Sequence, residues 1–274
     1  MDLLSIALYS IGFIVLLVVT QDIHIFPGAF FSKVLFLWQR NKPIPPFVES
    51  SFIESTDGTK LEVWRYSPEV QTDLSDYVAI IFHGNGGPVE NFLFFQMWFA
   101  DLGIASYNFD YRGFGRSRGW PSETGIYNDS DTVWAYVTKR EQVPSEKIIV
   151  LGISVGSAPA ARIAALYEPK MLLLSSAFTD LRSVTRAQWV IGLLAPLVRY
   201  TFPTIEYVTR LKRAHLLLAH GLKDNIVPPN HSELLEAAYN GTGHVQRYFS
   251  NDTGHNMAFY DLKDKLKATL EEWL

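Results

Sequence analysis

The chain has 274 residues, 48% hydrophobic and 19% charged, which supplies apolar side chains for a large buried core and excludes a disordered or low-complexity protein. A net charge of −4 and a pI near 6.0 leave no basic field, so no nucleic-acid partner is expected. With no cysteine in the sequence, disulfides, thiolate metal ligands and a cysteine nucleophile are all removed from consideration.

Taken in chain order, the first element is the run from Leu3 to Gln21, which carries no charged side chain. As a helix rising about 1.5 Å per residue it would approach the roughly 30 Å hydrocarbon core of a bilayer, and it predicts a single-pass transmembrane anchor over 1–24. A cleaved signal peptide fits less well, because Met1-Asp2 offers no basic residue ahead of the run and VVTQD lacks a small-x-small cleavage site. A buried core helix is the third reading. Lys33, Arg40 and Lys42 follow the run and no basic residue precedes it, so the body of the protein is expected on the cytoplasmic side of a membrane. Four Asn-x-Ser/Thr sequons, starting at Asn128, Asn230, Asn240 and Asn251, pull mildly toward the lumen. Residues 25–47 read as a juxtamembrane linker. Their aromatic-rich part, FPGAFFSKVLFLWQR, suits a segment at the headgroup level or one packed on the globular body.

From residue 48 a single domain is expected to run to 274. FIESTDGTKLEVWRY (52–66) predicts a β-hairpin turning at Asp57-Gly58. VAIIFHG (78–84), IASYNFDY (104–111), KIIVLGIS (147–154), MLLLSSAF (171–178), HLLLAHG (215–221) and VQRYFS (245–250) read as buried strands, most of them separated by helical stretches. Continuous apolar strands alternating with helices predict an α/β fold with a mostly parallel sheet covered on both faces. One connection, 180–213, is long and apolar, and reads as a short lid-like insertion.

Two segments match G-x-S-x-G, GRSRG at 115–119 and GISVG at 152–156. A nucleophile elbow needs a strand running straight into the serine and a helix starting straight after it. Ser154 meets both demands, with KIIVLGIS before it and SAPAARIAAL after it. Ser117 lies six residues beyond its strand, and Trp120-Pro121 stands where a helix would begin. The arginines around it, Arg112, Arg116 and Arg118, read as solvated charges or, as the less favoured alternative, contacts to an anionic substrate group.

A serine hydroxyl needs a histidine to take its proton and a carboxylate to orient that histidine. Asp224, in HGLKDNIVPP, and His255, in SNDTGHNM, each follow a strand, which brings all three groups to the carboxyl edge of a parallel sheet. Asp224 could instead only start a turn, with Asp180 the reserve acid, and His255 could be an ordinary loop histidine. His215, His220, His231 and His244 lack metal-ligand spacing and read as structural or solvent-facing. HGNGG (83–87) exposes backbone N–H groups after a strand and suits an oxyanion site together with the N–H of Val155. A dinucleotide loop fails on spacing, since Val89 stands where a glycine is needed, and no phosphate-binding G-K-[ST] occurs. Neither a cofactor nor a metal is expected.

HGNGG, DYRGFGRSRGWPSETGIYND, GISVGS, HGLKDNIVP and DTGHN together resemble the α/β-hydrolase superfamily, in its membrane-anchored, α/β-hydrolase domain-containing branch with lysophospholipase-like and depalmitoylase-like members. The resemblance spans about residues 50–274 and implies a central, mostly parallel sheet of about eight strands. It implies Ser154 as nucleophile, Asp224 as acid, His255 as base, and Asn85 with Val155 as oxyanion donors. Pro88 departs from the small or polar residue usual after the glycines, and 180–213 matches no pattern. The expected function is a membrane-tethered serine hydrolase of acyl ester or thioester bonds, on a small-molecule or lipid substrate. An amidase or serine peptidase with the same groups, or a catalytically silent interaction module, are the alternatives.

Overall fold

A computed structural model of the chain describes residues 3–34, 43–188 and 192–274. Its centre is an eight-stranded sheet: β1 Val48–Glu54, β2 Lys60–Tyr66, β3 Val78–Phe82, β4 Ala105–Phe109, β5 Ile148–Ile153, β6 Met171–Ser175, β7 His215–Gly221 and β8 Val245–Ser250. The spatial order is β1-β2-β4-β3-β5-β6-β7-β8. β1 and β2 form the hairpin, with Glu54 opposite Lys60 and the turn at Asp57-Gly58 between them, and β2 joins β4 antiparallel. Every later pairing is parallel.

Helices lie on both faces, and the parity of the strand residues shows why the strands read as unbroken apolar runs. Ile80, Phe82, Val150, Leu172, Leu174, Leu216 and Leu218 pack into one core with α5 Glu123–Glu141, α6 Ser157–Tyr167, α8 Thr204–Val208 and α9 Asn230–Ala238. Ala79, Ile81, Ile149, Leu151, Leu173 and Leu217 face the other way, toward α4 Leu93–Asp101 and α10 Ala258–Trp273. A strand that buries both faces leaves few positions for a polar residue, and those it has, such as Ser106 and Asn108 on β4 and His220 on β7, are buried. β3 and β5 stand at the middle of this sheet, and β5 lies between β3 and β6, so the turn that follows β5 is held from both sides.

The long connection between β6 and β7 carries α7 Leu181–Ala187, a 3₁₀ segment Gly192–Leu197 and α8. Residues 189–191 of the expected 180–213 insertion lie outside the described residues.

The N-terminal expectation is overturned. α1 Leu3–Val19 is 17 residues long, about 25 Å at 1.5 Å per residue. Among the described residues no helix is long and apolar enough to cross a membrane. The chain leaves the helix at Thr20, whose hydroxyl donates to Leu16 O (2.7 Å), and is then bonded to the domain. Gln21 Nε2 donates to Leu197 O (2.8 Å) and Gln21 Oε1 accepts from Arg199 N (2.9 Å), while Asp22 accepts from Tyr200 Oη (2.6 Å) and Arg199 Nη2 (2.9 Å). The transmembrane anchor, the single-pass membrane localisation and the membrane as a partner are therefore withdrawn. A hydropathy run cannot reveal where a helix stops and the chain docks. Two further helices, α2 Gln21–Ile25 and α3 Pro27–Val34, pack on the body, with Phe26 and Ala29 each only 1% exposed. Arg40 and Lys42, which set the expected orientation, lie outside the described residues, as does the rest of 35–42.

Candidate active site

The turn after β5 puts Ser154 in the left-handed region at φ 52°, where a residue with a side chain is strained. The strain is held by crowding. A Cβ on Gly156 would lie 2.0 Å from Phe82 O, so only glycine lets the 3₁₀ turn Ser154–Gly156 pass the end of β3 and lead into α6. The turn aims the Ser154 hydroxyl away from the sheet edge, and Oγ stands 2.9 Å from His255 Nε2. The other ring nitrogen, Nδ1, donates to Asp224 Oδ2 at 2.7 Å. His255 follows β8 and Asp224 follows β7, so parallel strands deliver all three side chains to one edge.

Asp224 serves two purposes with its two oxygens. Oδ1 accepts from the N–H groups of Ile226 and Val227, both at 2.9 Å, and so closes the turn after β7. Oδ2 accepts from His255 and from a second imidazole, His220 Nε2, at 3.1 Å. His220 Nε2 also donates to Val227 O (3.0 Å), which fixes the proton on that nitrogen, and its Nδ1 meets Ser232 Oγ at 2.7 Å. His220 has no exposed surface. Burial pushes the Asp224 carboxyl up, but the bonds from His220, His255 and the Val227 N–H outweigh it and hold the group well below the ordinary carboxylate range. Sequence reading took His220 as structural or solvent-facing and missed its contact with Asp224. The available signal was its place on the buried strand four residues before the carboxylate.

Asp180, the reserve acid, does not approach His255. It caps α7, with Oδ1 accepting from Ser183 N (2.9 Å) and Oδ2 from Ser183 Oγ (2.6 Å). His231 accepts from Thr179 N (3.2 Å), and His215 stacks on His244 at the far end of the sheet. Ser176 Oγ donates to His255 O (2.7 Å) and steadies the backbone of that loop.

Ser154, Val155 and His255 open on a cavity of about 440 Å³ that Gly84, Asn85 and Gly86 also line. Its remaining wall is mainly apolar, with Phe92, Phe95, Phe178, Leu181, Val184 and Phe259. Leu181 and Val184 belong to the insertion, so α7 forms one side of the chamber. Pro88 does not displace the HGNGG loop from the pocket: Asn91 N bonds to Pro88 O (2.9 Å), and Asp110 Oδ1 accepts from Val89 N (2.8 Å) behind it. His83 at the base of the loop is wholly buried and donates from Nδ1 to Gly84 O (2.7 Å), and burial lowers its pKa from 6.5 to about 4. Among the described residues no group of three or more acidic or histidine side chains is placed to hold a metal.

Ser117 is 2% exposed and does not line the cavity. Its Oγ donates to Asp110 O (2.6 Å) and accepts from Glu62 N (2.8 Å), which ties its loop to β2. Two of the three neighbouring arginines are paired with carboxylates, contrary to both readings made of them. Arg112 bonds Asp129 (2.7 Å) and Asp57 (2.7 Å), and Arg116 bonds the buried Glu62. Only Arg118 is exposed among the three.

A mostly parallel sheet with helices on both faces, and a serine on a strained turn at the end of its central strand, define an α/β hydrolase. The sequence profile described as "Serine aminopeptidase, S33" matches residues 75–215, and the chain belongs to this α/β-hydrolase family. Three relatives in sequence are the uncharacterized protein YfhR of Escherichia coli K12 (28% identical over 198 residues, 70% of this chain and 69% of the relative), the α/β hydrolase domain-containing protein WAV2 of Arabidopsis thaliana (28% over 221 residues, 72% and 70%) and protein bem46 of Schizosaccharomyces pombe (27% over 245 residues, 85% and 78%). In fold the chain resembles an α/β hydrolase from Vibrio vulnificus, with TM-score 0.70, 20% identity and coverage of 93% of this chain and 92% of the other. It also resembles the esterase Pf2001 of Pyrococcus furiosus, with TM-score 0.68, 19% identity and coverage of 83% and 90%.

Proposed function

We propose that this chain is a serine hydrolase that cleaves acyl ester or thioester bonds through an acyl-Ser154 intermediate. The observation that carries the reading is the unbroken chain of contacts from Ser154 Oγ to His255 (2.9 Å) to Asp224 (2.7 Å) at the mouth of an apolar chamber. As Oγ bonds to the acyl carbon, His255 Nε2 takes the hydroxyl proton and Asp224 stabilises the imidazolium. The carbonyl oxygen becomes an oxyanion facing the N–H groups of Asn85 and Val155, and Val155 sits where the N-terminal end of α6 adds a favourable field. Collapse breaks the bond to the alcohol or thiol, which leaves with the proton from His255. A water then repeats the sequence on the acyl-enzyme and frees the acid.

The aromatic and aliphatic lining favours an acyl chain of lipid character over a small polar acid. Residues 48–274 form the hydrolase body in this reading, with 180–213 covering the acyl chamber through α7. An amidase or aminopeptidase activity would use the same groups, and the family description favours it as the second reading. Reaction with a fluorophosphonate probe tests the class: the parent and Ser117→Ala label, and Ser154→Ala does not. A folded parent that stays unlabelled defeats the proposal in favour of a silent scaffold. Comparison of kcat/KM over matched esters, thioesters and amides then separates the two hydrolytic readings.

A further inference from the structure

The end of α2 and the start of α3, residues 25–28, lie against the HGNGG loop and bond it in both directions. Gly28 N–H donates to Asn85 O (3.0 Å), and Asn85 Nδ2 donates back to Ile25 O (2.8 Å). Gly28 is buried, and a Cβ built on it would stand 2.6 Å from Asn85 O, 2.6 Å from Gly87 N and 2.9 Å from Gly87 Cα. All three are backbone atoms, so no side chain can swing aside to make room. The strap is also pinned on its other flanks. Phe26 packs edge-on against Tyr200 and Phe202, Gln21 holds Leu197 and Arg199, and Ser32 Oγ donates to Gly28 O (2.6 Å) while accepting from Gly115 N (3.1 Å).

We propose that Gly28 and Ile25 are positioning residues for the oxyanion loop: the N-terminal strap sets where the Asn85 N–H stands. The inference rests on the reading of Asn85 as an oxyanion donor given above. It means that activity depends on residues some sixty positions upstream of the loop, outside the 48–274 body.

The test uses the full chain and a hydrolysed acyl ester. Gly28→Ala is expected to lower kcat by about tenfold or more with KM changed less than about twofold, a fraction of the roughly 10²- to 10³-fold lost when an oxyanion donor is removed outright. Affinity for a trifluoromethyl ketone matched to the substrate, whose hemiketal oxygen occupies the oxyanion position, is expected to fall by the same factor. Phe31→Ala, on the same strap but 57% exposed, is expected to change neither. Thermal melts accompany each assay. If Gly28→Ala melts below the assay temperature, Asn85→Ala, which cuts the bond to Ile25 O without adding bulk, is judged by the same separation of kcat from KM. An unchanged kcat in a folded variant, or a loss borne by KM alone, overturns the inference while leaving an active, fluorophosphonate-labelled parent in place. A parent that neither labels nor hydrolyses overturns the hydrolase reading and this inference with it.

Discussion

Two segments of this chain share the pattern G-x-S-x-G and come to opposite ends. At 152–156 the serine follows a central strand without a spacer, is forced to φ 52°, and puts its hydroxyl 2.9 Å from an imidazole at a cavity. At 115–119 the serine is buried and spends its hydroxyl on two backbone groups, while Arg112 and Arg116 beside it bond to Asp129 and Glu62. The glycines do different work as well. Gly156 clears the carbonyl of a neighbouring strand, whereas the glycines of the second segment shape a loop that closes on β2. A motif is thus a statement about backbone clearance, and its chemistry depends on what the neighbouring strand ends deliver.

The sharpest way to break this contrast is Ser154→Ala, expected to abolish both hydrolysis and fluorophosphonate labelling. Any labelling left above background would put the nucleophile elsewhere. Next in size, Asp224→Asn should lower kcat by about 10⁴-fold with little change in KM, because the amide no longer enforces the imidazole tautomer that accepts the serine proton. Steady-state kinetics with one acyl ester decide it, and a loss under tenfold would detach Asp224 from the reaction. Gly156→Ala should reduce the rate by about 10²-fold or more, since the elbow must shift to relieve a 2.0 Å clash and misplacement near 1 Å carries a cost of that order. Ser117→Ala belongs on the other side of the comparison. It should leave the labelling rate within about twofold of the parent yet lower stability by about 1–3 kcal/mol, measured by denaturant melts, because Glu62 N–H and Asp110 O lose their buried partner.

The smallest effect concerns His83, which sits between the two regions, at the base of the HGNGG loop and 3.7 Å from Asp110. Burial lowers its pKa from 6.5 to about 4, so the unfolded chain binds a proton in that interval that the folded chain refuses. Its contribution is whole above pH 6.5 and is lost as the pH falls toward 4. The melting temperature should decline over this range more steeply in the parent than in His83→Gln, and equal slopes would remove His83 as the cause. Asp224 stays ionised throughout, its carboxyl being held below the ordinary range, so it adds nothing to a loss of activity on mild acidification.

Much of the architecture was legible residue by residue. Strands β3, β5, β6 and β7 declared themselves as short apolar runs because both of their faces are buried, and the hairpin declared itself at Asp57-Gly58 because a tight reversal needs that chemistry; VQRYFS, read as a buried strand, is instead the edge strand β8, whose residues are mostly half-buried. The order of Ser154, Asp224 and His255 along the chain, each just after a strand, was equally open to reading. Three features were not. The end of α1 and the docking of residues 20–34 depend on bonds to Leu197, Arg199 and Asn85, far away in sequence. The contact of His220 with Asp224 depends on the turn that brings residue 224 back over its own strand. The pairing of Arg112 and Arg116 depends on α5 and β2 meeting the same loop.

By itself the sequence determined the layered α/β plan and the residues at the ends of its strands, because hydrophobic periodicity, turn chemistry and glycine clearance are local properties that a stretch of ten residues carries whole. Which polar groups meet was decided only by the tertiary structure. A hydrogen bond acts over about 3 Å, and most of the partners that share it here are well separated in sequence, while His220 and Asp224, four residues apart, meet only through the turn after β7, so it is the folded sheet edge that brings them within reach.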